Sequence, residues 1–484
     1  MKSIICIDQG TTSSRVVAFN EELQPLKINQ QEYSLIFPED GWVEIDISVI
    51  EKTVNDALAD VMRSFGDVIS LGITNQRETT LLWNRVNGMP LYNAIVWQDR
   101  RTAKYCEELK SQGLEETIKN KTGLVLDPYF SATKIKWILD KYDSDRKLSS
   151  NGDILFGTVE TFLIWKLTGG KDHFTDFTNA SRTMICNIDT QDWDDELLTL
   201  FNIPREVLPK IKHNDAFFGE HQETQAPIHG AIGDQQAALV GQNCFEANSM
   251  KATFGTGCFL MVNTGNQRIY SKNGLLTTAG YSLENTTAYA LEGSIFSAGT
   301  GIKWLRDNLN FFENSADSEK LINAKWDSGG VIFVPAFSGL GAPRWQPNIR
   351  AGFYGMTADS ERSDLVTSVF KALCFQVKEL IIALESDAVS IHNLSVDGGM
   401  TNNQSFCQML ADICNINIIV PDYKESTVLG AAKCAAIGSG VISMNDLKNS
   451  SGNFKALTPN KEEDYREEFS YWSEFINSIS DSMK

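Results

Sequence analysis

Apolar runs that stop at polar turns punctuate the start of the chain. The run at 3–7 predicts a buried strand, Asp8-Gln9-Gly10-Thr11-Thr12-Ser13-Ser14 a polar turn, and the run at 15–19 the return strand of a hairpin. Apolar positions at helical spacing (Val54, Leu58, Val61, Met62) predict a helix over 50–65. A strand at 68–73 follows, and then a second polar loop, Thr74-Asn75-Gln76-Arg77-Glu78-Thr79-Thr80. The scheme recurs at 95–101, where Trp97 closes an apolar strand. Helices are predicted at 114–119, 133–140, 157–167 and 192–201. Between them lie a turn presenting Tyr129 and Phe130, a surface connection at 142–151 and a polar loop at 178–182.

The second half opens like the first. A strand at 250–254, the tight turn Gly255-Thr256-Gly257 and a strand at 258–263 repeat the hairpin about 245 residues on, an internal duplication that predicts two related lobes. The hinge is expected at 241–248. A helix rich in small residues is predicted within 293–309, a strand at 331–335 and an amphipathic helix at 365–384. A strand at 392–396 runs into Asp397-Gly398-Gly399, followed by a helix with Phe406, Met409, Leu410 and Ile413 on one face. A closely packed Ala/Gly-rich helix is predicted at 429–437, and an acidic helical tail from Lys461 on.

Composition narrows the function classes. The 484 residues suffice for two or three domains, and 42% apolar residues for a sizeable core. A net charge of −19 argues against nucleic acid and anionic membrane surfaces as partners. No apolar run approaches the roughly 18 residues of a membrane span, and no membrane anchor is expected. Asp8 interrupts what would be a secretory signal core. Nine cysteines without CxxC spacing fit a reducing compartment, so the expected location is cytoplasmic. Five dispersed histidines form no ligand pair.

Four stretches could carry chemistry. Ile232-Gly233-Asp234-Gln235 sets a carboxylate and an amide on a glycine turn, where an acceptor could take a proton from a substrate hydroxyl. The alternative is an Asp capping a helix that begins at Gln235. The first hairpin turn joins an acid, a glycine, hydroxyls and Arg15, the donor set of a phosphate cradle, with Asp8 able to hold a Mg²⁺ shell through water. An ordinary polar turn is the competing reading. Arg77 beside Glu78 is either a surface ion pair or a donor–acceptor grip on adjacent hydroxyls. Gly398-Gly399 between a strand end and a helix start lets a flat ring or a phosphate approach the backbone.

Taken together, DQGTTSSR from Asp8, GITNQRETT from Gly72, NAIVWQDRRT from Asn93, DPYFSATKIKWIL from Asp127, TNASRT from Thr178, GDQQAAL from Gly233, GTGCF from Gly255, NGLLTT from Asn273 and DGG from Asp397 resemble the glycerol kinases. These belong to a carbohydrate-kinase family related to actin and hexokinase. The likeness covers nearly the whole chain and keeps motif order. It implies an α/β fold of two ribonuclease-H-like (actin-like ATPase) lobes around a central cleft. The N-terminal lobe, 1–246, would carry the glycerol site and the first phosphate hairpin; the C-terminal lobe, 247–484, would bind nucleotide. The implied activity is phosphorylation of glycerol to sn-glycerol 3-phosphate with ATP and Mg²⁺.

By the same resemblance, Thr11, Thr12, Ser13, Arg15 and Thr256 face the nucleotide phosphates, and Gly299, Gly399 and Asn403 make the nucleotide's other contacts. Arg77, Glu78, Tyr129, Asp234 and Gln235 form the glycerol site, with Trp97 and Phe259 against the carbon chain. Asp234 is the general base, and Asp8 and Asp234 hold the metal. A homo-oligomer, dimer or tetramer, is implied.

There are departures. Lys303 stands where the family usually has Gln near the nucleotide, and Arg344 and Gln346 where an aromatic and an acid are common. The segment 219–229 lacks the Gly/Lys/Arg-rich loop that binds fructose bisphosphate in some bacterial members. The alternatives are a kinase of another polyol or ketose, and a non-catalytic actin-like binding protein.

Overall fold

The computed structural model describes residues 2–346, 348–449, 453–460 and 464–482. Pro347 and parts of the tail (461–463 and 483–484) lie outside the described residues. The chain divides into two compact units. The first is Met1–Asn243 with Thr277–Tyr289 and Ser426–Ser450; the second is Cys244–Leu276 with Ala290–Glu425 and Ser451–Lys484. Two later segments therefore pack with the first unit.

The first unit is built on a six-stranded sheet in the order Gly219–Glu220, Pro227–Gly233, Asp67–Asn75, Lys2–Gln9, Ser13–Phe19, Pro25–Glu32. Lys2–Gln9 pairs antiparallel with Ser13–Phe19, the hairpin read from the sequence, and parallel with Asp67–Asn75. Pro227–Gly233 joins Asp67–Asn75 in parallel. Ile4, Ile5, Cys6 and Ile7 are wholly buried, as in a parallel strand covered on both faces. Ile5 and Ile7 pack with Ile50, Val54 and Leu58 of the helix Ile47–Met62. The Ala/Gly-rich helix, Ser426–Gly438, packs on the three parallel strands and on the helix Asp234–Gly241.

In the second unit Met250–Phe254 pairs antiparallel with Cys258–Gly265 and parallel with Asn393–Asp397. Asn417–Pro421 and Phe454–Leu457 continue the sheet. A hairpin whose first strand is flanked by a parallel neighbour thus occurs in each unit.

Several elements differ from the sequence reading. The 157–167 segment opens as a strand, Ile154–Gly157, before the helix Val159–Leu167. The small-residue segment at 293–309 ends a strand, Thr286–Ile295, before the helix Gly299–Asp307. Trp97 lies just beyond a two-residue strand, Ala94–Ile95. The polar loop expected at 178–182 is a helical turn, Phe177–Ala180, and Thr178, Asn179, Ser181 and Arg182 are wholly buried. The helix predicted as amphipathic spans Arg362–Ser386 and buries Thr367, Ser368, Lys371 and Gln376 as well as its apolar residues. It packs against Gln404–Cys414, Ile332–Val334 and Gly299–Asp307, so more than one face is covered. No described helix is long and apolar enough to cross a membrane, and all nine cysteines are buried free thiols.

Candidate active site

The register of the three parallel strands creates the site. Asn75 is the Cα partner of both Gln9 and Gly233. The strands therefore end level, and the loops leaving their carboxyl ends carry the polar groups, as is usual for open α/β sheets. Asp8 and Asp234 sit at the ends of strands two positions apart, a backbone separation of about 10 Å at the usual strand spacing.

Asp234 is the first residue of its helix, and the cap position is Gly233, which offers no side chain. The cap reading of Asp234 is thereby displaced by one residue. Its Oδ1 accepts from the Gln235 N–H at 2.7 Å and pairs with Arg77 Nε at 3.0 Å. The pair is asymmetric: the Asp234 side chain is 30% exposed, that of Arg77 2%. The acceptor thus reaches solvent while the cation is held from behind. A Cβ at Gly233 would stand 2.9 Å from Arg77 Cγ and Cδ, so glycine is what lets the arginine stem lie against this turn. Arg77 Nη1 donates to Gln236 Oε1 at 3.3 Å. Gln236, to which the sequence reading gave no role, donates in turn to the Ala279 carbonyl at 3.1 Å. Gln235 is buried beside it.

Glu78 is buried with a left-handed backbone, φ 58°. Its carbonyl accepts from Thr80 Oγ1 at 2.9 Å and Ser131 Oγ at 3.2 Å, which holds this conformation. Its Oε1 accepts from Arg182 Nε at 2.6 Å and lies 4.0 Å from Arg77 Nε. Arg182 joins this cluster through Glu78 and Tyr129, and sequence reading did not single it out. It sits inside the quoted TNASRT stretch, but polar residues in a row read as a solvated loop. Its guanidinium carbon stands 5.6 Å from the Tyr129 ring centre and 5.3 Å from that of Phe130. Tyr129 meets Trp97 edge-on at 5.7 Å. Below them the buried Lys134 Nζ donates to the Tyr129 carbonyl at 2.7 Å. Burial pulls this amine down to about 8, against the charges of Glu78, Asp99 and Asp127. Arginine and carboxylate groups beside two aromatic faces suit a small polyol, with donors and acceptors for hydroxyls and apolar faces for C–H edges.

The first hairpin turn is tied to the same cluster. Trp97 Nε1 donates to Thr11 Oγ1 at 3.0 Å. Gln9 Nε2 and Gln76 Nε2 donate to the Gly10 carbonyl at 2.6 and 3.1 Å. Arg15 Nη2 lies 3.4 Å from Asp8 Oδ2. Thr12 is exposed, and Thr11 and Ser13 are half-buried. Asp8 and Asp234 offer the hard oxygen donors Mg²⁺ prefers. Among the described residues no group of three or more acidic, histidine or cysteine side chains could cage a metal. That donor set fits a cation held through its own waters, the usual habit of Mg²⁺ beside phosphates.

In the second unit Thr256 and Gly299 come together. Gly299 N–H donates to the Gly255 carbonyl at 3.0 Å, and Ala298 N–H and Thr300 Oγ1 donate to that of Thr256 at 2.9 and 3.0 Å. A Cβ at Gly299 would stand 2.6 Å from the Gly255 oxygen, whereas one at Gly399 would meet nothing within 4 Å. The first glycine lets the turn and helix close up; the second leaves room in front of the backbone. Asn403 caps the helix Gln404–Cys414 by accepting from Phe406 N–H at 2.8 Å, and its Nδ2 is buried without a partner among the described residues. An open glycine face and a spare buried donor fit a nucleotide. Lys303 is exposed on the helix that Gly299 starts, and Phe259 lies on the strand Cys258–Gly265. Arg344 is structural in this unit: it pairs with Glu379 and donates to Asn477 Oδ1 at 2.6 Å and Ser473 Oγ at 2.8 Å, pinning its loop to two helices.

Known proteins match the chain over most of its length. The model of the N-terminal domain of the FGGY family of carbohydrate kinases matches residues 3–241, and that of the C-terminal domain matches 250–439. The chain belongs to the FGGY family of carbohydrate kinases. Within it, the chain is 48% identical over 466 residues to a glycerol kinase of Alteromonas mediterranea, covering 94% of both proteins. It is 47% identical over 445 residues to glycerol kinase 1 of Pseudomonas aeruginosa, covering 90% of both. The crystal structure of Plasmodium falciparum glycerol kinase with ADP superposes with a TM-score of 0.90 at 37% identity, over 99% of this chain and 98% of that one. A gluconate kinase from Lactobacillus acidophilus shares the fold, with a TM-score of 0.88 at 23% identity over 100% and 99% of the two chains. The two-lobed actin-like kinase fold expected from the sequence is thus the fold of this protein.

Proposed function

We propose that the protein transfers the γ-phosphoryl group of ATP to a terminal hydroxyl of glycerol, giving sn-glycerol 3-phosphate. The observation that carries this reading is the Arg77–Asp234 pair beside Glu78 and the Trp97 and Tyr129 rings. The near-half identity to glycerol kinases over nine-tenths of the chain supports the same substrate.

In this reading Arg77 and Glu78 bind adjacent hydroxyls, with Gln235 as a further polar contact and Trp97, Tyr129 and Phe259 against the carbon chain. Asp234 aligns the reacting hydroxyl and takes its proton as the oxygen bonds to the γ-phosphorus. The bond from that phosphorus to the β–γ bridging oxygen breaks, and ADP leaves. Such transfer needs positioning and charge neutralisation more than covalent chemistry by the protein. Thr11, Thr12, Ser13, Arg15 and Thr256 serve the phosphates; Gly299, Lys303, Gly399 and Asn403 serve the rest of the nucleotide. Asp8 and Asp234 would hold Mg²⁺ through water, and the cation would supply further neutralisation of phosphate charge. A cytoplasmic location and a homo-oligomer, dimer or tetramer, belong to the same reading; light scattering on the purified protein reads the assembly.

The test is a substrate panel with ATP: glycerol, dihydroxyacetone, glyceraldehyde, xylulose and gluconate. Glycerol should give the highest kcat/KM. A preference for xylulose or gluconate would replace the substrate while keeping the kinase, and no turnover of any would favour a binding protein.

A further inference from the structure

A chain of buried side chains runs beneath the site, from the loop of Arg77 to the turn of Asp234. Asn75, two residues before Arg77, donates through Nδ2 to Glu160 Oε2 at 2.8 Å and to Asn179 Oδ1 at 3.0 Å. Asn179 Nδ2 donates back to Asn75 Oδ1 at 3.0 Å and onward to Asp176 Oδ1 at 2.6 Å. Asp176 Oδ2 accepts from Thr178 N–H at 2.7 Å, from Asn214 Nδ2 at 2.8 Å and from the Thr178 hydroxyl. That hydroxyl, its hydrogen spent on Asp176, accepts from Gly233 N–H at 2.9 Å. Asn214 Nδ2 also holds the Ala231 carbonyl at 2.8 Å. At the other end Glu160 Oε1 accepts from the hydroxyls of Thr158, Thr161 and Thr175. Asn75, Glu160, Asp176, Thr178, Asn179 and Asn214 are all wholly buried.

This arrangement is costly for a fold to maintain. Two carboxyls are taken out of water, and burial, with the charge of Asp176 beside it, pushes Glu160 up to about 7. Polar groups so deeply buried must be fully satisfied, and a satisfied network fixes geometry tightly. It touches the backbone just before each of the two residues that pair at 3.0 Å: Asn75 Nδ2 donates to the Gln76 carbonyl at 3.0 Å, ahead of Arg77, and the Thr178 hydroxyl accepts from Gly233 N–H, ahead of Asp234. Packing alone would be served as well by apolar residues.

We infer that Thr178 is a positioning residue for phosphoryl transfer: its hydroxyl, oriented by Asp176, holds Gly233 N–H and so sets the Asp234 carboxylate against Arg77. The inference rests on the reading of Asp234 as the base. Thr178→Val keeps the shape and removes the hydroxyl; Thr178→Ser restores it. Thr168→Val removes another buried hydroxyl, which binds the Ile164 carbonyl at 2.9 Å, and serves as the stability control. For each full-length variant kcat, both KM values and Tm are measured with glycerol and ATP.

T178V should lose about tenfold or more in kcat, since small misplacements of a reacting group are that costly. Its ATP KM should stay within about twofold, T178S should return to within about threefold of the parent, and T168V should keep its kcat while its Tm falls. Should T178V be insoluble, Thr178→Cys, of similar size with a weakly bonding sulfur, should show the same loss of kcat. Asp234→Asn is run alongside. A slow D234N beside an unimpaired T178V or T178C overturns the inference alone, as does a T178S no faster than T178V at the parent's Tm. A D234N near the parent rate overturns the base assignment and the inference with it.

Discussion

The Nε of Arg77 and Oδ1 of Asp234 stand 3.0 Å apart, one on the loop and the other at the helix start that follow neighbouring parallel strands whose last residues, Asn75 and Gly233, are in register. The sheet itself therefore brings cation and acceptor together before any substrate arrives. On the proposed reading, a substrate hydroxyl would meet the Asp234 carboxylate already held in place by Arg77.

Arg77→Ala should separate the two substrates. Loss of a charged hydrogen-bond partner costs about 1.5–3 kcal/mol, so the glycerol KM should rise roughly ten- to a hundredfold. Because Arg77 also holds Asp234, kcat should fall as well, while the ATP KM barely moves. Steady-state kinetics with each substrate varied in turn decides it; equal rises in both KM values would move Arg77 out of the glycerol site.

Arg182→Ala should damage both fold and substrate binding. It leaves the carboxylate of Glu78, 1% exposed, without its 2.6 Å partner. Breaking a buried pair from one side costs about 3–5 kcal/mol. Chemical unfolding should show a loss of that order, and the surviving enzyme a raised glycerol KM. Unchanged stability would mean the pair contributes little.

The strand ends and their loops were legible because apolar runs broken by Gly, Thr and Asp mark strand–turn–strand units directly. Asp8, Arg77, Glu78 and Asp234 were found on that signal. Arg182, Lys134 and the Glu160–Asp176 network were not, because a buried charge looks like a solvated one until its partners are known. Thr178 and Asn179 sit in a run of polar residues, and nothing local says that all of it is buried. The long helix Arg362–Ser386 was legible at 365–384, but not the cover over its polar side: Thr367, Ser368 and Lys371 mimic a wet face that tertiary packing buries. Segments far along the chain, such as Ser426–Gly438, return to the first unit by long-range packing that no local pattern announces.

Glu160→Gln should change how stability depends on pH. The Glu160 carboxyl is raised from 4.5 to about 7, so between those values the folded state holds a proton that the unfolded chain has lost. Stability from this group therefore declines as pH rises through that window, by up to about 1.4 kcal/mol per pH unit, and levels off above it. Thermal melting across pH 5–8 should show the parent losing ground to E160Q with rising pH. A constant difference would place the proton elsewhere.

Fructose bisphosphate should barely inhibit. The connection between Gly219–Glu220 and Pro227–Gly233 is a tight turn closed by His221 N–H to the Ala226 carbonyl at 2.8 Å, with no basic cluster to hold two phosphates. A titration showing strong inhibition at or below about millimolar effector, where electrostatic anchoring would have to come from elsewhere, counts against this.

Asp234→Asn isolates the proposed role of Asp234 as the group that takes the proton from glycerol. The change keeps size and much of the hydrogen bonding but removes the acceptor and its charge. With the base gone, kcat for glycerol phosphorylation should fall by about 10²–10⁴, toward the upper end because hydroxyl alignment is lost too. ATP binding and Tm on the same preparation should stay near the parent's. A kcat within about fivefold of the parent would mean that Asp234 is not the base, since loss of a general base costs at least about a hundredfold.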